Sequence, residues 1–153
     1  MPYEAFKVIH LFGVILFLGN IIVTGVWKLL ADRTGEPRIV AYAQRLVTVT
    51  DWCFTAGGVV LIVIGGYGMA HAGGLDLRQR WLVLGQSLFA VSGLIWIAVL
   101  IPTQMAQARL ARAFAGGGPI PEDYWRLGRR WAIWGALATI VPLANLYVMV
   151  FKP

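Results

Sequence analysis

Two histidines and a few methionines hold most of the ligand chemistry in this sequence. His10 lies in Phe6-Lys-Val-Ile-His10-Leu-Phe-Gly13, the start of an apolar run that continues to about Trp27. An ionisable side chain in a segment long enough to span a bilayer is costly unless it has a partner, which makes His10 the first candidate for function. Met69 and His71 follow late in the second apolar stretch. Imidazole nitrogen and thioether sulfur are the ligand types that hold haem iron from its two faces, so His10 with Met69 or His71 reads as an axial pair. With Cys53 the single cysteine and no Cys-x-x-Cys-His, such a haem would be non-covalent, of the b type. Cys53 cannot form an internal disulfide and reads as a small packing residue.

The same ligands suit Cu(I), which makes copper the runner-up metal, although Met69 and Met149 are fewer soft ligands than a copper pathway calls for. A third reading leaves His10 as a neutral hydrogen-bonding group, toward Asn145, Tyr67 or Gln86, in a haem-free structural or accessory subunit.

The surroundings of these residues are small. At about 100° per residue, Gly13, Phe17, Asn20 and Thr24 share the His10 face, which is therefore predicted to look into a bundle. The other side of that helix, with Ile9, Val14, Leu16 and Val23, suits lipid. Thr55, Gly58, Ile62, Gly65 and Met69 share one face of the second span, with Gly66 one turn from Met69. A haem would sit between the Gly13 surface and the Gly65/Gly66 surface. Glycines at this spacing equally serve close helix packing or homodimerisation.

The elements that must position these groups are membrane helices. The chain has 153 residues, 59% of them hydrophobic and 13% charged, with a mean hydropathy of +0.72. Four windows pass the length test for a span: about Tyr3–Trp27, Trp52–Ala70, Trp81–Ile101 and Trp131–Phe151. The fold class is therefore all-α, a four-transmembrane-helix bundle of two helical hairpins in a single domain over residues 1–153. The first window lacks the short core and cleavage site of a signal peptide and is expected to remain. Helix one is predicted to run to about Asp32, to turn at Thr34-Gly35-Glu36-Pro37, and to lead into a second helix that starts below the membrane at Pro37. That helix ends at Met69-Ala-His71-Ala-Gly-Gly74. The third span is predicted to continue through Pro102, kinked, as an amphipathic extension to Phe114. Gly116-Gly-Gly-Pro-Ile-Pro121 then breaks the chain. Pro142, inside the last span, is predicted to free the carbonyl of Ala138. Tryptophans 27, 52, 81 and 131 and tyrosines 3, 67 and 147 fall near the predicted interfaces as anchors.

Charge orients the bundle. Nine basic residues (Lys28, Arg33, Arg38, Arg45, Arg109, Arg112, Arg126, Arg129 and Arg130) lie between spans one and two or between spans three and four, against Lys7, Arg78, Arg80 and Lys152 on the other side. The positive-inside rule then places both termini outside, on the periplasmic side of a bacterial cytoplasmic (inner) membrane. The net charge of +6 is accordingly read as a match to anionic lipid headgroups and not to nucleic acid. His10, Met69 and His71 all fall in the outer half. There is no phosphate-binding glycine loop, no His-Glu-x-x-His and no carboxylate pair within a span, since all seven acidic residues lie at span ends or in loops. Ser87 and Ser92 lack an in-span base, and no carboxylate relay for proton pumping is visible.

Phe6-Lys-Val-Ile-His10-Leu-Phe-Gly13, Asp51-Trp-Cys-Phe-Thr-Ala, Gly93-Leu-Ile-Trp-Ile-Ala, Tyr124-Trp-Arg-Leu-Gly-Arg-Arg-Trp131 and Met149-Val-Phe-Lys-Pro153 together resemble a bacterial family of predicted integral membrane proteins of unknown function. The resemblance covers nearly the whole chain. More distantly, the layout is similar to the HemJ family of membrane protoporphyrinogen oxidases and to the CopD family linked to copper uptake. HemJ proteins begin with a Leu-His pair in the first span and end with Lys-Pro after the fourth, where this chain has Ile9-His10 and Lys152-Pro153. That resemblance implies haem b on His10 with Met69 as second ligand. It also implies a lysine early in span three, and Arg80-Trp-Leu-Val-Leu-Gly-Gln86 has none, which argues against the same reaction. The expectation is a b-type haem protein of the membrane, a candidate oxidoreductase that exchanges electrons with quinone or another redox partner.

Overall fold

The computed structural model describes residues 2–153 as four helices in up-and-down order: α1 (Tyr3–Arg33), α2 (Pro37–Ala72), α3 (Arg80–Phe114) and α4 (Glu122–Phe151). All four are long and apolar enough to cross a membrane, and no strand occurs among the described residues. Helices of 30 to 36 residues reach roughly 45–54 Å, well beyond a hydrocarbon core of about 30 Å, so each projects past the membrane. Both termini and the α2–α3 loop share one end, the terminal end. The α1–α2 and α3–α4 turns share the other, the basic end.

Local chemistry fixes the boundaries. Gly35 (φ +63°) and Gly74 (φ +63°) supply the left-handed residues that close the α1–α2 turn and the end of α2. Pro37 opens α2, where its missing N–H costs nothing. The kink expected at Pro102 takes the form of a π-helical turn over Trp96–Leu100, directly before the proline. Widening the turn absorbs the carbonyl partner that Pro102 cannot supply. A second π turn, Asp51–Ala56, interrupts α2 at the same level. Trp52 and Trp96, one from each wide turn, meet edge to face with ring centroids 6.3 Å apart. At Pro142 the freed carbonyl of Ala138 is taken up by the Ser92 hydroxyl, which donates to it at 3.0 Å.

The hairpins are held differently at their two ends. In the terminal half α1 lies directly on α2 through glycines: a Cβ at Gly13 would stand 2.8 Å from Gly58 O and Ile62 N, and one at Gly58 would stand 2.9 Å from Gly13 O and Phe17 N. At the basic end the extensions of α2 and α3 pack together and onto α4, forming the apolar cluster Val40, Ala41, Ala111, Phe114 and Tyr124. Along its terminal half the backbone of α2 comes close to α1 alone, and the backbones of α3 and α4 stay clear of it. The two hairpins are thus joined at the basic end and stand apart at the terminal end.

Candidate functional site: a terminal cavity around His10

The space between the separated hairpins is a cavity of about 620 Å3, within the range typical of small-molecule and cofactor sites. His10 and Phe17 line it from α1, Gly66 and Met69 from α2, Gly85 and Gln86 from α3, and Asn145 and Met149 from α4. Most of the remaining wall is apolar.

His10 is half-buried, and its Nδ1 lies 2.9 Å from the carbonyl oxygen of Ile62. A carbonyl can only accept, so Nδ1 carries the proton and donates, and in the neutral ring Nε2 keeps its lone pair. No hydrogen bond among the described residues engages Nε2. The partner is therefore a backbone carbonyl of α2, and not Asn145, Tyr67 or Gln86. Those three do other work. Tyr67 donates to Gln86 at 2.9 Å, linking α2 to α3 across the gap. Asn145 Oδ1 is buried on the cavity wall without a hydrogen-bond partner among the described residues.

The glycines seen in the sequence serve the approach that makes this bond possible. Gly65 lies against the backbone of His10, and a Cβ at Gly66 would meet His10 Nδ1 at 3.3 Å and Cε1 at 3.4 Å. Gly13 lies in the α1–α2 seam, while Gly66 also lines the cavity. The His10 face is buried as expected at Gly13, Phe17 and Thr24. Val14, expected toward lipid, instead lines the cavity.

The structure brings His10 and Met69 to one cavity and adds Met149 on the α4 wall, where its side chain fills the space over Gly85. His71 is exposed and lies outside the lining. Cys53, expected to be a packing residue, is exposed. Among the described residues no three His, Cys, Asp or Glu side chains converge as a metal cluster.

Two polar clusters escaped the sequence reading. Asn20 Nδ2 donates to Thr55 Oγ1 (2.9 Å) and Asp51 Oδ1 (3.3 Å), Thr55 donates to the same Asp51 oxygen (2.9 Å), and Thr24 donates to Asn20 Oδ1 (3.1 Å). Closer to the basic end, Lys28 is 1% exposed. It is paired with Asp32 and donates to the Tyr124 hydroxyl at 2.9 Å. Its signal was available: 18 residues beyond His10 is five whole turns at about 100° per residue, so Lys28 falls on the same inward face. Lys28 is thus withdrawn from the basic surface that the sequence assigns to headgroups.

No curated protein and no solved structure gives a match to the chain. The family described as "Predicted integral membrane protein (DUF2269)" matches residues 4–153. With the match running nearly end to end over four membrane-length helices, the chain belongs to that family of multi-pass membrane proteins.

Proposed function

We propose that the terminal cavity binds a b-type haem through His10 and that the protein exchanges electrons in the membrane, with quinone or another redox partner. The observation that carries this reading is the pairing of His10 Nδ1 with the Ile62 carbonyl beside a cavity of about 620 Å3. A metal-binding histidine characteristically donates its second ring N–H to a carbonyl or carboxylate, which fixes the tautomer and aims the other nitrogen. Here Ile62 does this and Nε2 is the ligating atom. A cavity of this size exceeds what a bare ion needs and suits a flat, mostly apolar ligand.

Met69 is the second ligand in this reading, with Met149 as the facing alternative and His71 set aside by its exposure. Haem, when bound, supplies one-electron exchange. The chain's own part is to hold the imidazole in one tautomer, to keep Gly66 open beside the ring, and to wall off water with Phe17, Leu82 and Phe89. The nine-to-four distribution of basic residues supports a bacterial cytoplasmic membrane with the cavity on the periplasmic side.

The test is the visible absorption spectrum of the detergent-purified protein, oxidised and after dithionite. The reading expects a Soret band with sharp reduced α and β bands, lost in His10→Ala and altered in Met69→Leu but not in Met149→Leu. A protein that stays colourless after expression with haem precursor refutes it.

A second reading has its own observation: His10, Met69 and Met149 line the same cavity and are of the soft ligand types that suit Cu(I). Copper that co-purifies in stoichiometric amount with colourless protein, and is lost in Met69→Leu/Met149→Leu, would select it.

A further inference from the structure

The interior of the basic end is more polar than packing requires. Lys28, Gln44, Gln107 and Tyr124, one from each helix, are each at most 1% exposed. Lys28 joins Asp32 to the Tyr124 hydroxyl, and that hydroxyl lies 3.4 Å from Gln44 Oε1. Gln44 Nε2 in turn donates to the backbone carbonyl of Gln104 at 3.4 Å, and beyond that bond the partners run out among the described residues. Both amide atoms of Gln107, Oε1 of Gln104 and Nε1 of Trp96 are buried without a hydrogen bond among the described residues. Buried polar atoms left unpaired are costly, and more so where bulk water is absent. Adjacent amides of this kind provide the about two to four polar partners that an internal water needs.

The run of unpaired groups leads to Asp51. Its Oδ1 accepts from Asn20 and Thr55, and among the described residues no hydrogen bond is made to Oδ2. Gln104 and Trp96 of α3 lie beside the same carboxyl, and neither closes a hydrogen bond to it among the described residues. Thr24 stands behind Asn20 on α1, and α4 faces this space with Trp131 and Thr139 and no charged group. The nearest ion pair is Lys28–Asp32. A π turn in α2 begins at Asp51 and one in α3 begins at Trp96. Such turns recur at functional sites.

Asp51 lines a second cleft, of about 380 Å3, between α1 and α4, and Phe17 is the residue that lines both this cleft and the His10 cavity. Phe17 is 8% exposed and is braced edge to face by Phe89 at 6.4 Å.

The geometry points to a hydrated proton path that runs from the basic end, past Asp32, Lys28, Tyr124 and Gln44 and along the amides of Gln107 and Gln104, to Asp51, and that is shut from the His10 cavity by Phe17. It spans the 12 residues of α1 between Asn20 and Asp32, roughly 18 Å. Amides do not relay protons; they orient waters, each of which takes a proton from one neighbour and gives one to the next. The Asp51 carboxylate ends the chain by becoming a carboxylic acid, and no electron moves. This path is independent of what the His10 cavity holds.

The test uses the full chain in liposomes loaded with a pH-sensitive dye, with proton flux driven by a potassium diffusion potential. Wild-type protein should be proton-tight. Phe17→Ala should leak protons, and adding Asp51→Asn or Gln107→Leu to Phe17→Ala should abolish the leak. A Phe17→Ala protein with wild-type helicity and no leak overturns the path, as does a leak that survives both second substitutions, since that is a general packing defect. Hydration is read separately from Gln107→Cys in a Cys53→Ser background. A small charged thiol reagent that does not cross the membrane should modify Gln107→Cys from the basic side, and an unreactive thiol there refutes the waters.

Discussion

Gly13→Ala is the substitution that bears most directly on the candidate site without touching it. The added methyl would stand 2.8 Å from Gly58 O, Ile62 N and the Cβ of Leu61, against an ordinary contact of 3.4 Å or more. Two of these three atoms are backbone, so no side chain can swing away, and α1 must move off α2 by about 0.6 Å or more. The Nδ1–O distance of 2.9 Å between His10 and Ile62 then stretches toward the limit of about 3.5 Å at which a hydrogen bond is lost. Overpacking of this kind costs about 1–3 kcal/mol, and the lost bond adds about 1 kcal/mol. Gly19→Ala, in the same helix with nothing within 4 Å of the new methyl, should be neutral or stabilising by up to about 1 kcal/mol, because alanine is the better helix former. The assay is unfolding of both variants in mixed detergent micelles, with the His10 ring nitrogens followed by nitrogen NMR. Equal stability of the two variants, or a Gly13→Ala protein whose Nδ1–H signal is unshifted, would refute the argument that the glycine seam sets the histidine.

The buried ion pair makes a second prediction. Asp32→Ala leaves Lys28 inside with only the Tyr124 hydroxyl, and should cost about 3 kcal/mol or more, whereas Lys28→Met/Asp32→Leu should recover most of that loss. The same unfolding assay on wild type, Lys28→Met, Asp32→Leu and the double variant closes the cycle that gives the coupling. Ser92→Ala leaves the Ala138 carbonyl at the Pro142 break unpaired and should lower stability by about 1–3 kcal/mol. Gly93→Ala, next to it with open space, is the control and should not.

Much of this architecture follows from local rules. The four spans, the turn before Pro37, the continuation of α3 past Pro102 and the freed carbonyl at Ala138 are consequences of hydropathy, missing N–H groups and glycine conformations. Each involves residues within a few positions of one another. The inward face through His10, Gly13, Phe17 and Thr24 was legible for the same reason. What the sequence hid depends on partners far along the chain. Ile62 as the partner of His10 requires knowing how closely α1 approaches α2. Burial of Lys28 depends on Tyr124, 96 residues away. Asp51 reads as the polar end of a span until Asn20, Thr55 and Gln104 are set around it. The π turn at Asp51–Ala56 has no proline to announce it, and nothing in its residue types explains it.

The separation of the hairpins at one end and their union at the other divides the labour of the molecule. Folding specificity resides in the extensions beyond the membrane, where Val40, Phe114 and Tyr124 interlock. The walls of the terminal cavity away from the glycine seam, such as Val14 and Leu146, carry less of that burden. Residues there can be exchanged to reshape the cavity with a smaller penalty to assembly than at Gly13 or Gly66. A scaffold of this kind is free to diversify in what it holds while keeping the way it is built.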